Sequence, residues 1–350
     1  MGKGLVAMGG NKYDGYADLE ITGSGSRGRG RTRVRSEVEP EGSTEPEPYW
    51  PLAFQQWGSA WHLHTYSVAC IFMFIAILAA MSMIVYLKNK QVLKQVTLTF
   101  TLQCLLLYFT LLRSLVMFIN PYQTEEKIND TVFHMMWSFS LPGLTAAFSV
   151  LLLVFLDTTK MTLGPPVFQK LSVLLIFTAC HFVIVVSADI ICALVTSSCA
   201  PMLMFCQALF ILYGTLLAAG YAYTAISLHR KCVTGVISAE ENRKIIRLIK
   251  ISGFASFIAL SIAVTHLYAA CSEFGIYSDV IYVNAWDWWI LQSVLRFEEI
   301  MSSCLILLIA FRNPFAGNCR IRNWMLKSVN RKINPLPQTD VSPLDKTQVT

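Results

Sequence analysis

Charge is what this sequence has least of. Asp, Glu, Lys and Arg together make up 14% of the 350 residues, where soluble domains carry about 25%. Apolar side chains reach 54% and the mean hydropathy is +0.50, which places the chain in the membrane class. The ten cysteines contain no C-x-x-C pair, so zinc-ribbon and thioredoxin-like motifs are excluded. The opening MGKGLVAMGG lacks the apolar core of a signal peptide. It also has Val6 where N-myristoylation needs Ser or Thr. The first apolar run is therefore expected to act as its own insertion signal, unless sequence upstream of this chain supplies one.

What is present is a series of seven apolar runs, at 65–87, 96–119, 132–156, 171–196, 202–227, 251–271 and 288–311. Crossing the hydrocarbon takes about 20 apolar residues in a helix. The runs do not alternate as barrel strands do. The expected fold is an all-α seven-helix transmembrane bundle over 50–311. Flanking it are a disordered outer tail, 1–49, rich in Gly, Ser, Arg, Glu and Pro, and a cytosolic tail, 312–350.

Lys and Arg set the orientation. Eighteen of them lie after the first, third, fifth and seventh runs, while the opposite connections hold only Lys127. By the positive-inside rule the N-terminus is outside and the C-terminus cytosolic. Asn129-Asp130-Thr131 then falls on the outer side as a glycosylation sequon. Trp50, Trp57, Trp61, Trp286, Trp288 and Trp289 cluster at the outer boundary, where they are read as interfacial anchors. Inside, Ser238 to Glu241 forms a capping box ahead of the sixth span. In the tail, RIRNWMLKSVNRKI (about 320–333) puts Ile321, Trp324, Met325, Val329 and Ile333 on one helical face among five cations. That pattern fits an amphipathic helix on anionic inner-leaflet lipids. Cys232 and Cys319 are candidate palmitoylation sites. Cys199 and Cys271, at outer helix ends, are a candidate disulfide. The bilayer is the expected partner. The basic RGRGR tract at 27–31 lies outside, so nucleic acid is not.

The spans also hold ionisable groups: Arg113 in the second, Asp189 in the fourth, His266 in the sixth, and Arg296, Glu298 and Glu299 in the seventh. Each costs a few kcal/mol or more facing lipid. At 1.5 Å per residue they fall at similar depths in the outer half, where they can face one another. Arg113 is expected to pair with Asp189 or a seventh-span glutamate, and Arg296 with Glu299. Together they are the candidate polar pocket, with structural pairing as the plainer reading. Gly214 and Ala218 have the small-x-x-x-small spacing of a close helix contact. Pro142-Gly143 is expected to kink the third span.

Function classes narrow by what is missing. The third span ends VFLDTTK without Asp-Arg-Tyr, the sixth has no C-W-x-P, and the seventh has no N-P-x-x-Y. Rhodopsin-type coupling therefore has no sequence support beyond Asn313-Pro314. A zinc hydrolase needs about three ligands, and no H-x-x-x-H lies in a span. A transporter would use midplane carboxylates such as Glu298 and Glu299, but no internal repeat supports it. No catalytic residue, metal site or cofactor is read, and the expectation is not an enzyme.

The stretches WGSAWHLHTYS (57–67), LLRSLVMF of the second span, HFVIVVSADII of the fourth and LRFEE of the seventh resemble the C-terminal seven-helix region of the proline-rich transmembrane protein family, members three and four. A lysosomal orphan seven-helix family is a more distant likeness. The resemblance covers about 50–335. It implies a multi-pass membrane protein with no assigned ligand and no catalytic residue. The N-terminal part here is thin in proline (Pro40, Pro46, Pro48, Pro51), so the family's long proline-rich outer region is not carried over. An orphan receptor-like or scaffold protein is the resulting expectation.

Overall fold

Backbone amides left bare in hydrocarbon cost several kcal/mol each, so apolar runs of this length close on themselves as helices. The computed structural model describes residues 45–88, 97–124, 127–159, 161, 169–195, 199–234 and 239–317. A two-residue strand β1 (Glu47–Pro48) and a short helix α1 (Trp50–Trp57) come first. Long helices follow: α2 (Ser59–Lys88), α3 (Thr97–Ile119), α4 (Asp130–Thr159), α5 (Leu171–Leu194), α6 (Cys199–Thr234) and α7 (Ala239–Cys271). A second strand β2 (Tyr282–Val283) precedes α8 (Ala285–Gly317). Helices α2 to α7 are each long and apolar enough to cross a membrane. The 33-residue α8 carries Arg296, Glu298 and Glu299 and is not among those six.

Residues 45–49, read from composition as part of the disordered tail, belong to the fold. Glu47 and Pro48 pair in parallel with Tyr282 and Val283, and the Trp50 indole N–H donates to Glu47 Oε2 at 3.0 Å. The chain then turns at Gly58, whose φ of +50° is a backbone state that L side chains rarely adopt. That turn folds α1 back over α2. Trp50, Trp57, Trp61 and Trp288 are all more than nine-tenths buried. Their rings meet one another at centroid distances of 5.2–6.5 Å. These four tryptophans are core and not a lipid-facing belt; among the six, Trp286 is the one that is 43% exposed. Edge and stacked contacts of this kind add about 0.5–1.5 kcal/mol each beyond the area they bury.

The spans are not equivalent. In α4, 89% of the apolar window lies buried inside the bundle, against 11% in α5, so α4 is the central post and α5 peripheral. Pro142 sits inside α4, which continues as one helix from Asp130 to Thr159. Beside it, the Tyr108 hydroxyl donates to the Phe139 carbonyl at 3.2 Å. Gly143 makes this approach sterically available, since a Cβ there would stand 2.9 Å from Tyr108 Cδ1. Gly214 of α6 lies close to α7, with a built Cβ 3.5 Å from that of Ala263. Ser256 of α7 donates to the Ala218 carbonyl at 2.8 Å. The capping Ser238, the tail helix at 320–333 and Cys319 lie outside the described residues.

Substituting Gly143→Ala is expected to lower the melting temperature of the purified protein by overpacking, a cost of about 1–3 kcal/mol. In a Tyr108→Leu background the same change is expected to cost little; an equal loss in both backgrounds would place the constraint elsewhere.

Candidate functional site

Three buried residues from two helices form the centre of the site. Arg113 of α3 donates from Nη2 to Glu299 Oε1 at 2.7 Å, and Arg296 of α8 donates from Nη1 to Glu299 Oε2 at 2.6 Å. One carboxylate thus bridges two guanidinium groups, one oxygen for each. All three side chains are about 95% buried or more. The α4 indole of Trp137 lies under both cations, 4.4 Å from Arg113 Cζ and 4.9 Å from Arg296 Cζ. Its negative ring face suits a second positive charge that the single carboxylate leaves uncompensated. Arg113 Nε and Nη1 and Arg296 Nε have no hydrogen-bond partner among the described residues.

The other carboxylates are held differently. Glu298, one residue before Glu299, points about 100° away around the helix. Its Oε1 accepts from Ser261 Oγ at 2.5 Å and Thr265 Oγ1 at 2.9 Å, both on α7. Asp189 of α5 accepts through Oδ1 from Ser138 Oγ at 3.2 Å, and its Oδ2 has no partner among the described residues. The guanidinium that could have met Asp189 is taken by Glu299. His266 Nδ1 lies 2.9 Å from the Ile262 carbonyl, which can only accept, so Nδ1 carries the proton. Its ring packs on Phe210 at 4.6 Å.

A cavity of about 260 Å³ joins these groups. It reaches from Glu45–Glu47, Gln123 and Phe274, at the end of the bundle where β1 sits, down to Arg113, Arg296, Asp189 and His266. Glu298 and Glu299 do not line it. Both stand behind its wall, Glu299 capped by the arginines and Glu298 by the α7 hydroxyls. Among the described residues no group of three His, Cys, Asp or Glu side chains is arranged to hold a metal ion.

Several wall residues had no distinguishing mark in the sequence. Trp137 and Ser138 look like any aromatic and any serine in an apolar run. Ser261 and Thr265, which hold Glu298 behind that wall, do carry a signal, because two hydroxyls four residues apart put polar groups on one face of the apolar run 251–271. Gln207 and Cys206 of α6 line the cavity as well.

The expected Cys199–Cys271 disulfide is not formed. Cys199 is joined to Cys192, seven residues earlier, and Cys271 is free and exposed. The reason is local: Cys192 lies in the last turn of α5 and Cys199 opens α6, so their Cα atoms come within 4.3 Å. The sequon residue Asn129 is exposed and caps α4, accepting from the Thr131 amide at 3.0 Å. Cys232 is half-buried and its thiol donates to Asn242 Oδ1 at 2.8 Å.

Comparison with protein families gives a match over residues 35–325 to the model described as the proline-rich transmembrane protein 3 domain. The chain belongs to the proline-rich transmembrane protein 3 family. It is a multi-pass integral membrane protein. Searching the curated proteins returns no significant match. Arg113, Asp189, His266 and the α8 triplet all fall within the family segment.

For this family member the shared carboxylate makes substitutions unequal. Glu299→Gln leaves two buried guanidinium groups without an anion, and losing one partner of a buried pair costs on the order of 3–5 kcal/mol. Arg113→Leu leaves Glu299 still paired with Arg296, so its loss is expected to be smaller. Monodisperse yield and melting temperature of the two variants check this; an Arg113→Leu loss as large as that of Glu299→Gln would contradict the bridging arrangement.

Proposed function

We propose that the chain is a seven-helix membrane protein, N-terminus outside, acting as a receptor-like protein with a ligand site entered from the outer face. Helix α8 supplies the seventh span. Its three ionisable residues are compatible with crossing because each is turned inward onto a partner from α3, α7 or α8 itself. The observation that carries the reading is the cavity, lined by two buried arginines that keep unpartnered donors. A purely structural ion pair would satisfy its donors internally. A transporter working through the α8 carboxylates is the weaker reading, since neither glutamate lines the cavity. Outward placement rests on the Lys and Arg distribution, and it puts Asn129 where glycosylation occurs. Cys232, on the basic side, stays a candidate for acylation, and the basic tail a candidate for anionic lipid contact.

Cys206 gives a direct test, because it lines the cavity and is a free thiol. A membrane-impermeant methanethiosulfonate reagent applied to intact cells is expected to modify Cys206 in the full chain, read by mass spectrometry, and not in Cys206→Ser. Glycosidase treatment should shift the wild type and not Asn129→Gln. An unmodified Cys206 together with modification of Cys232 from the same side would reverse the topology and remove the outer site.

A further inference from the structure

The walls of this cavity are unbalanced in opposite senses at two places. On the α3 and α8 side the charged unmet groups are donors, Arg113 Nε and Nη1 and Arg296 Nε, with one neutral acceptor, Gln292 Oε1, a turn earlier on α8. On the α5 and α6 side the unmet groups are acceptors: Asp189 Oδ2 and Gln207 Oε1. Arg113 is 1% exposed, Arg296 4% and Asp189 6%, so bulk water does not serve them. A buried polar group without a partner loses its full hydration, about 1–3 kcal/mol and more when charged.

Charge follows the same division. Two guanidinium groups share one carboxylate, leaving one positive charge in excess, and Asp189 has only the Ser138 hydroxyl against its negative charge. The protein does not cancel these by pairing Arg113 with Asp189. Trp137 and Ser138 are successive residues of α4, the first lying under both arginines and the second holding Asp189. Both poles line the one cavity, and each is held from a neighbouring position of α4. A ligand that completes both must bring acceptors to the arginines and donors to Asp189 and Gln207.

We propose that the cavity binds a small zwitterion of the amino-acid class, its carboxylate on Arg113 and Arg296 and its ammonium on Asp189. This rests on the outer-facing site described above and adds the chemistry of what fills it. A simple anion would meet the arginines and leave Asp189 bare; a simple amine would do the reverse. A zwitterion is overall neutral, as is the set of Arg113, Arg296, Glu299 and Asp189 taken together. Filling the site thus changes no net charge in the bundle. The volume of about 260 Å³ admits a compact ligand of this kind and is small for drug-sized molecules.

The test uses the full chain in detergent or nanodiscs, with glycine, β-alanine and γ-aminobutyrate as a series of increasing charge separation. Propionate and propylamine are the single-charge controls. Two readouts are taken, the rate of Cys206 modification and the melting temperature. At least one zwitterion is expected to slow Cys206 modification several-fold at saturation and to raise the melting temperature in a concentration-dependent way. Neither control is expected to match it. Asp189→Asn, which keeps the shape and the Ser138 contact, is expected to abolish the zwitterion effect while leaving the unliganded melting temperature near that of the wild type. If propionate protects as well as any zwitterion, and Asp189→Asn changes nothing, the site is an anion site and the inference fails. If Cys206 is modified freely and no zwitterion protects it, the inference fails, and the outer site stands where Cys206 was also modified in intact cells. If Cys206 is not modified at all, both fail. Should Asp189→Asn misfold, Gln207→Leu replaces it as the variant that must weaken protection.

Discussion

A carboxylate and two guanidinium groups in the interior of a membrane protein have few ways to coexist, and the Glu299 bridge is the one this chain uses. Each carboxylate oxygen takes one arginine, so neither cation is left wholly desolvated. Because Arg113 comes from α3 and Arg296 and Glu299 from α8, the bridge also sets the rotation of α8 about its axis. Turning α8 by one residue would bring Glu298 toward Arg113 and strip the α7 hydroxyls of their acceptor. The packing of the three helices and the electrostatics of the site are therefore one constraint.

That constraint explains why α4 is central. Two arginines sharing one anion retain positive charge, and the Trp137 face meets it at under 5 Å from both. Trp137 brings α4 against both arginines, and α4 is buried along most of its length. At the end of the bundle where β1 sits, the tryptophans of α1, α2 and α8 pack together, and Trp288 of that cluster lines the cavity. Their burial makes a packed cluster out of residues that membrane proteins often place at the interface. The β1–β2 pairing ties residues 47–48 to the segment just before α8, so the chain on both sides of the mouth is held.

The two unequal poles of the cavity follow from the same economy of partners. With Glu299 engaging both arginines, Asp189 is left to a hydroxyl and Glu298 to two hydroxyls on α7. Hydrogen bonds from hydroxyls moderate a buried carboxylate without cancelling its charge. The structure thus keeps separated charge inside the bundle, stabilised locally and not neutralised pair by pair. Separated charge of this kind suits recognition better than it suits packing.

The apolar runs, their approximate ends and the identity of the ionisable residues were legible in the linear chain, because span length and side-chain charge are local properties. Run 96–119 is α3 within a residue, whereas run 65–87 missed the six-residue extension of α2 to Ser59, where WGSAW is too polar for a hydropathy window. The spacing of Arg296 and Glu299 also named one ion pair, since three residues on a helix are neighbours. What the tertiary structure alone decided is which partner each remaining charge meets. Arg113 binding Glu299 and not Asp189, and Trp137 lying under both cations, depend on helix order and rotation. Those are set by packing summed over every helix in contact, and no stretch of sequence contains them.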